Sequence, residues 1–69
     1  MFYFFQRGPD FLQCEIRGDD QDGYEIVINE PRRAERRESF PTSDAAYTRW
    51  LQLQESLVAE GWWGPHGRD

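Results

Sequence analysis

This sequence of 69 residues lacks several features that mark common protein classes. It contains no lysine, so all eight basic residues are arginine, which hints at a GC-rich bacterial genome. Cys14 is the one cysteine and cannot form an intramolecular disulfide, whereas a small secreted domain usually needs several. No apolar run approaches the roughly 18 residues of a membrane span, and residues 1–5 are too short for a signal peptide. These absences predict a cytoplasmic protein.

The charge balance is acidic, with a net charge of −5. A general nucleic-acid binder normally presents a basic surface, so the overall charge disfavours that class. The hydrophobic share of 38% is low, but it is concentrated in large aromatic side chains. We expect one domain over residues 1–69 with a thin core, which a second copy or a partner would help to stabilise.

Alternation of apolar and polar residues predicts strands over residues 2–6, 11–17 and 23–29. Leu12, Cys14 and Ile16, for example, share one face of the second strand. Residues 35–40 fit a fourth strand less well, because their apolar content is nearly confined to Phe40. Clusters containing Gly, Pro or Asp separate the strands and predict turns.

A helix is predicted over residues 43–60. Thr42 or Ser43 suits its N-cap, and Gly61 is placed to end it in a left-handed conformation. Spacings of three and four residues define one apolar stripe, made of Ala46, Tyr47, Trp50, Leu51, Leu53, Leu57 and Val58. The predicted fold is therefore α+β: a small antiparallel meander of three to four strands, followed by one C-terminal amphipathic helix on one sheet face and a mobile tail at residues 64–69.

The first strand has an aromatic surplus. Phe2 and Phe4 point to one face of the sheet, and Tyr3 and Phe5 point to the other. One helix covers only one face, so the second set needs another cover: the segment with Trp62 and Trp63 that follows the helix, a second copy of the chain, or a different partner.

Three other groups of residues suggest chemistry. The acidic residues 19–22 fit a calcium loop poorly, because an EF-hand frame would begin at Gly18 and end at Asn29. Cys14 and His66 are a conceivable nucleophile and base, but Cys14 shares a face with apolar residues and His66 lies in the tail. We predict a solvated loop, no metal, no cofactor and no enzymatic activity.

The third group is a basic stretch that could hold phosphates bidentately. Its members are Arg32, Arg33, Arg36 and Arg37. Carboxylates are interleaved with them at Glu30, Glu35 and Glu38, so local neutralisation and protection of a sheet edge explain the same residues. The second explanation is favoured.

Two functional hypotheses follow. In the first, the protein is a non-catalytic interaction module, and Tyr3, Phe5 and Trp63 bury against a second copy in a homodimer or against another protein. In the alternative, the sheet binds single-stranded nucleic acid by stacking bases on aromatic rings, while the four arginines between residues 32 and 37 follow the backbone. The first is preferred because of the acidic net charge.

The order of four strands and a helix is similar in outline to small single-strand-binding folds such as the PC4-like and WGR-type domains. The Trp-Gly-Arg signature of the latter is absent, because Trp63 and Gly64 are followed by Pro65. The resemblance is one of layout, and it implies no site residues.

Overall fold

The computed structural model describes residues 1–68, which form an antiparallel sheet with a helix on one face. The elements are β1 Phe2–Arg7, β2 Asp10–Asp19, β3 Gly23–Asn29, β4 Arg36–Phe40, α1 Ser43–Ala59 and β5 Trp63–Arg68. β1 to β4 form a meander, and the order across the sheet is β4-β3-β2-β1-β5. The predicted α+β class with an antiparallel sheet and one helix is confirmed for these residues.

Two parts of the predicted layout are wrong. The sheet has five strands rather than three or four, and the helix lies in mid-chain, because residues 63–68 form a strand instead of a mobile tail. β5 pairs antiparallel with β1, with Phe2 opposite Arg68. An outer strand tolerates Pro65, since its missing N–H can face away from the sheet. Asp69 lies outside the described residues.

A close backbone approach defines the end of the β2–β3 hairpin. Gly18 has φ +129°, and a Cβ atom there would collide with the carbonyl oxygen of Gly23. Only glycine fits this position without a backbone shift. In the turn itself, the Asp19 carboxylate accepts hydrogen bonds from the backbone N–H groups of Gln21 and Asp22, at 3.0 and 2.7 Å. The acidic turn is therefore ordered by its own backbone.

Helix α1 is bounded by local signals at both ends. The Thr42 side chain accepts a hydrogen bond from the Ala45 N–H at 3.2 Å, as an N-cap does. At the other end Gly61 has φ +94°, and the Trp62 N–H donates to the Leu57 carbonyl at 3.0 Å. This Schellman geometry reverses the chain direction and brings it back to the sheet as β5.

The core lies between α1 and the facing side of the sheet. Its buried members are Phe5, Leu12, Cys14, Ile26, Ile28, Trp50, Leu53, Leu57 and Trp62. The Trp50 ring lies 4.9 Å from the ring of Tyr3 and 6.1 Å from that of Phe5. At the end of the core, the Arg7 guanidinium stacks 4.3 Å above the Trp62 ring. Aromatic side chains thus supply much of the buried surface of this small domain.

The helix is apolar over a wider arc than the sheet covers. Its buried residues are Ala46, Trp50, Leu53 and Leu57. Tyr47, Leu51 and Val58 were predicted to belong to the same stripe, but they are 62%, 44% and 55% exposed. No helix within residues 1–68 combines the length and the apolar character that crossing a membrane requires.

An ion pair holds the other flank of the helix to the sheet. Arg49 donates two hydrogen bonds to the Glu38 carboxylate on β4, at 2.8 and 3.2 Å. These bonds lower the pKa of Glu38, while partial burial acts in the opposite direction. The bidentate geometry fixes the position of α1 over β4.

Candidate functional site

The sheet face that points away from α1 has no second layer within residues 1–68. We call it the open face. Residues directly opposite each other on paired strands share a face, and the register therefore assigns Phe2, Phe4, Phe11 and His66 to it. The three strands that carry these residues are β1, β2 and β5, so one half of the open face is aromatic.

Five side chains on this half of the open face make up what we call the aromatic patch: Phe2, Phe4, Phe11, Trp63 and His66. The Phe4 ring lies 6.1 Å from Phe11 and 4.8 Å from His66, and the Trp63 ring lies 4.3 Å from His66. Phe2, Phe11 and Trp63 are 48%, 51% and 68% exposed. The patch is therefore a preassembled aromatic surface in contact with solvent.

The other half of the open face is covered by charged side chains. Val27 is only 3% exposed, although it lies on this face. Its direct cross-strand neighbours are Glu15 and Arg37. Arg17 and Arg37 both pair with Glu25, at 2.9 and 3.2 Å. The aliphatic parts of these long side chains shield Val27, and their charges neutralise one another.

The structure separates the three aromatic residues that were predicted to bind together. Trp63 lies on the open face, but Phe5 is fully buried under the helix and Tyr3 packs against Trp50. The prediction that Phe5 offers a binding surface is therefore wrong, and Tyr3 lies on the same covered face. The exposed residues of β1 and its hairpin partner are instead Phe2 and Phe11.

The hairpin register is the sequence signal that would have identified the covered face. A turn at residues 8–9 places Phe5 opposite Leu12 and Tyr3 opposite Cys14. The apolar face of β2 must be the covered one, because Gln13 and the charged residues that follow it lie on the other. Tyr3 and Phe5 then follow their β2 partners into the core.

The four arginines of the basic stretch are not brought together into one binding row. Each pairs with a neighbouring carboxylate: Arg32 with Asp10, Arg33 and Arg36 with Glu30, and Arg37 with Glu25 and Glu35. Arg37 lies on the open face, whereas Arg32 and Arg33 line a cleft of about 220 Å³ at the end of the sheet. In this geometry, carboxylates neutralise all four arginines.

The ion pair in that cleft is bidentate. Arg32 donates to both oxygens of the Asp10 carboxylate, at 3.3 and 3.1 Å. The hydrogen bonds from Arg32 lower the pKa of Asp10. A phosphate would have to displace this carboxylate to use the guanidinium.

Cys14 and His66 lie on opposite faces of the sheet and cannot act as a pair. Burial raises the pKa of the Cys14 thiol to about 12, which keeps it protonated at neutral pH. His66 stacks between Phe4 and Trp63, and its Nε2 atom is buried without a hydrogen-bond partner among the described residues. Its observed role is packing within the aromatic patch.

The acidic turn does not gather its carboxylates around a common centre. Asp19 is engaged by backbone N–H groups, and Asp20 accepts a hydrogen bond from the Tyr24 hydroxyl at 2.5 Å. That bond raises the pKa of Tyr24. Within residues 1–68, no group of three or more His, Cys, Asp or Glu side chains is arranged to hold a metal ion.

Comparisons with protein-family models, with curated proteins and with solved structures found no match for this chain. No residue role is therefore transferred to it by similarity. The exposure, geometry and charge of the aromatic patch are what bear on function.

Proposed function

We propose that this domain is a non-catalytic interaction module that pairs with a second copy of itself through the open face. The exposed aromatic patch carries the proposal. Side chains as large as Phe2, Phe11 and Trp63 are half to two-thirds exposed there. Taking ~200–250 Å² for each ring, they present about 350 Å² of apolar surface, within the size range of functional patches.

The distribution of charge favours a second copy as the occupant. On the open face, Glu15 and Glu25 pair with Arg17, and Glu25 and Glu35 pair with Arg37. The carboxylates that make no ion pair with a described side chain lie at the β2–β3 turn, in α1 and at the C-cap of α1: Asp19, Asp20, Asp22, Asp44, Glu55 and Glu60. None of them lies in the half of the open face that carries the aromatic patch, so two copies of net charge −5 can meet through that half without bringing these carboxylates together.

The area of the face sets the expected strength. A standard interface buries about 800 Å² on each partner, more than twice what the three rings supply. The neighbouring half, with its ion pairs over Val27, would have to join the contact. Polar interfaces of this kind are weak, so we expect a dimer with Kd in the micromolar range, about 1–100 µM.

The single-strand hypothesis draws on the same patch, since exposed rings on a sheet can stack bases. Binding of a polyphosphate also needs cations near the rings. On the open face, Arg17 and Arg37 are already engaged by carboxylates. The ion pairs therefore favour the protein partner.

Sedimentation equilibrium from about 1 µM to 1 mM tests the proposal. The wild type should dimerise, and a variant with Phe11→Ser and Trp63→Ser should dimerise at least about ten-fold more weakly, because its patch is lost. Tyr47→Ser is the matched control, since Tyr47 is 62% exposed on the helix instead of on the open face. It should leave the Kd unchanged.

Two results would reject self-pairing through this face. One is a wild-type monomer across the whole concentration range. The other is an equal loss of dimer in the double variant and in the Tyr47→Ser control. Circular dichroism verifies that both variants are folded. A steeply salt-dependent affinity for an oligothymidylate, lost on Trp63→Ser, would instead support the single-strand hypothesis.

A further inference from the structure

A second exposed apolar surface runs along α1, on the other side of the sheet from the aromatic patch. It consists of Tyr47, Leu51 and Val58, which we call the helix ridge. Successive members are four and seven positions apart, so they lie along one line of the helix. These side chains are 62%, 44% and 55% exposed. Their alignment along one line of the helix distinguishes them from apolar residues scattered singly over a surface.

The ridge lies on the flank of α1 away from β4. Arg49, which pairs with Glu38 of β4, occupies the opposite flank of the helix. Between the two flanks, Trp50 and Leu53 are buried against the sheet. The ridge is therefore not part of the core contact, and its side chains are available to another molecule.

Negative charge borders the ridge on its solvent side. Asp44 and Glu55 are about three turns apart and follow a line parallel to Tyr47 and Val58. Neither makes an ion pair with a described side chain. The helix contains one basic residue, Arg49, and Glu38 neutralises it.

The acidic turn adds to this field at one end of the ridge. Tyr24, whose hydroxyl binds Asp20, pairs with Phe40 of β4, three residues before α1 begins at Ser43. Asp19 and Asp22 belong to the same turn. The acidic turn therefore adds negative charge near the end of α1 where the ridge begins.

We propose that the helix ridge docks a basic amphipathic segment of a partner protein. Its apolar side chains, at helical spacing, would cover Tyr47, Leu51 and Val58, and its Lys or Arg residues would face Asp44 and Glu55. The ridge spans about 17 Å, which a helix of about 12–18 residues covers.

Charge excludes two other occupants. A second copy of this chain would bring an identical ridge that is bordered by carboxylates, and like charges across an interface weaken it. An anionic membrane surface would be repelled by the same carboxylates. The basic segment is the occupant whose charge complements the ridge.

The test uses a synthetic helical peptide of about 18 residues that carries a leucine stripe flanked by lysines, and a matched peptide with glutamates in place of the lysines. Binding to the ¹⁵N-labelled protein is followed by NMR at about 50 and 300 mM salt. We expect the lysine peptide to bind and to shift resonances of residues 44–58, and we expect its affinity to fall as the salt concentration rises. The glutamate peptide should bind at least about ten-fold more weakly.

Variants distinguish binding at the helix ridge from non-specific hydrophobic binding. Leu51→Asn should lower the affinity for the lysine peptide at least about ten-fold, since Leu51 lies at the centre of the ridge. Asp44→Lys with Glu55→Lys should reverse the preference between the peptides, and this reversal does not depend on the Leu51 variant being folded. Trp63→Ser, on the open face, should leave binding unchanged.

Four outcomes would overturn the proposal. The first is equal affinity for the two peptides, and the second is a failure of the charge-reversed variant to change the preference. The third is a set of shifts centred on Phe2, Phe11 and Trp63 in place of the ridge. Absence of binding by the lysine peptide at about 1 mM would also overturn it.

Discussion

The buried thiol of Cys14 makes the stability of this domain sensitive to alkaline pH. Its pKa is raised from 9.0 to about 12, mainly because the side chain is fully buried. The native state keeps the proton while the unfolded chain loses it above pH 9, so unfolding becomes more favourable as pH rises. The stabilising contribution is complete below pH 9 and is lost progressively towards pH 12.

The size of this effect follows from the two pKa values. Between pH 8 and pH 10, deprotonation of the unfolded thiol should lower the free energy of unfolding by about 1.4 kcal/mol. Such a loss is a large share of the stability of a domain of this size. It should be measurable well before the native thiol itself ionises.

Urea unfolding followed by tryptophan fluorescence measures the effect, at pH 7, 8, 9 and 10 with a reductant present. Cys14→Ala is the control, because it lacks the thiol but keeps every other group that titrates in this range. Its lost packing lowers stability by the same amount at each pH. Equal pH slopes in wild type and Cys14→Ala would refute the reasoning, and would show that the native thiol ionises as readily as the unfolded one.

Two further predictions concern stability. Gly18→Ala should lower the free energy of unfolding by about 2 kcal/mol or more, because residue 18 has φ +129° and its new Cβ would collide with the Gly23 carbonyl. Gly67→Ala is the control: its Cβ would enter open space, and the change should cost under about 1 kcal/mol. Chemical denaturation compares the two variants, and equal losses of stability would contradict the turn geometry. Leu53→Ala should lower the free energy of unfolding by about 2–5 kcal/mol and Leu51→Ala by under about 1 kcal/mol, because these leucines are 4% and 44% exposed. The same denaturation experiment measures both, and a larger loss for Leu51→Ala than for Leu53→Ala would mean that the helix is rotated on the sheet.

Sequence patterns predict the parts of this fold that local interactions determine. Alternation at Leu12, Cys14 and Ile16 reflects a strand with one covered face, and Thr42 and Gly61 satisfy the ends of one helix. These signals need no knowledge of the rest of the chain. They were enough to predict an antiparallel sheet with a helix on it.

The strand β5 could not be predicted in the same way, because it depends on a partner far away in the sequence. Gly64, Pro65 and Gly67 are turn formers, and they are compatible with an outer strand only once β1 provides the pairing. The buried Trp62 fixes the chain just before this strand. Tertiary contact thus overrides the local preference of these residues.

The candidate sites were harder to predict than the fold, because exposure depends on how elements pack. The aromatic alternation in β1, taken alone, allows either face to be covered, and pairing of Tyr3 with Cys14 and of Phe5 with Leu12 decides which one is. Likewise, Tyr47 and Leu53 belong to one apolar stripe in the sequence, but the sheet is wide enough to bury only Leu53. Ion pairing in the basic stretch is only partly local. Arg33, Arg36 and Arg37 pair with Glu30 and Glu35 nearby in the sequence. Arg32, by contrast, pairs with Asp10, and Glu38 pairs with Arg49 of the helix.

The pairing of β1 with β5 has a consequence during synthesis. Of the five strands, β1 leaves the ribosome first and β5 last, so β1 is an unprotected outer strand until β5 emerges. A nascent chain with an exposed aromatic edge is a template for pairing with other chains. Pairing of β5 with β1 covers this edge. The same pairing brings His66, with Trp63 against it, beside Phe4.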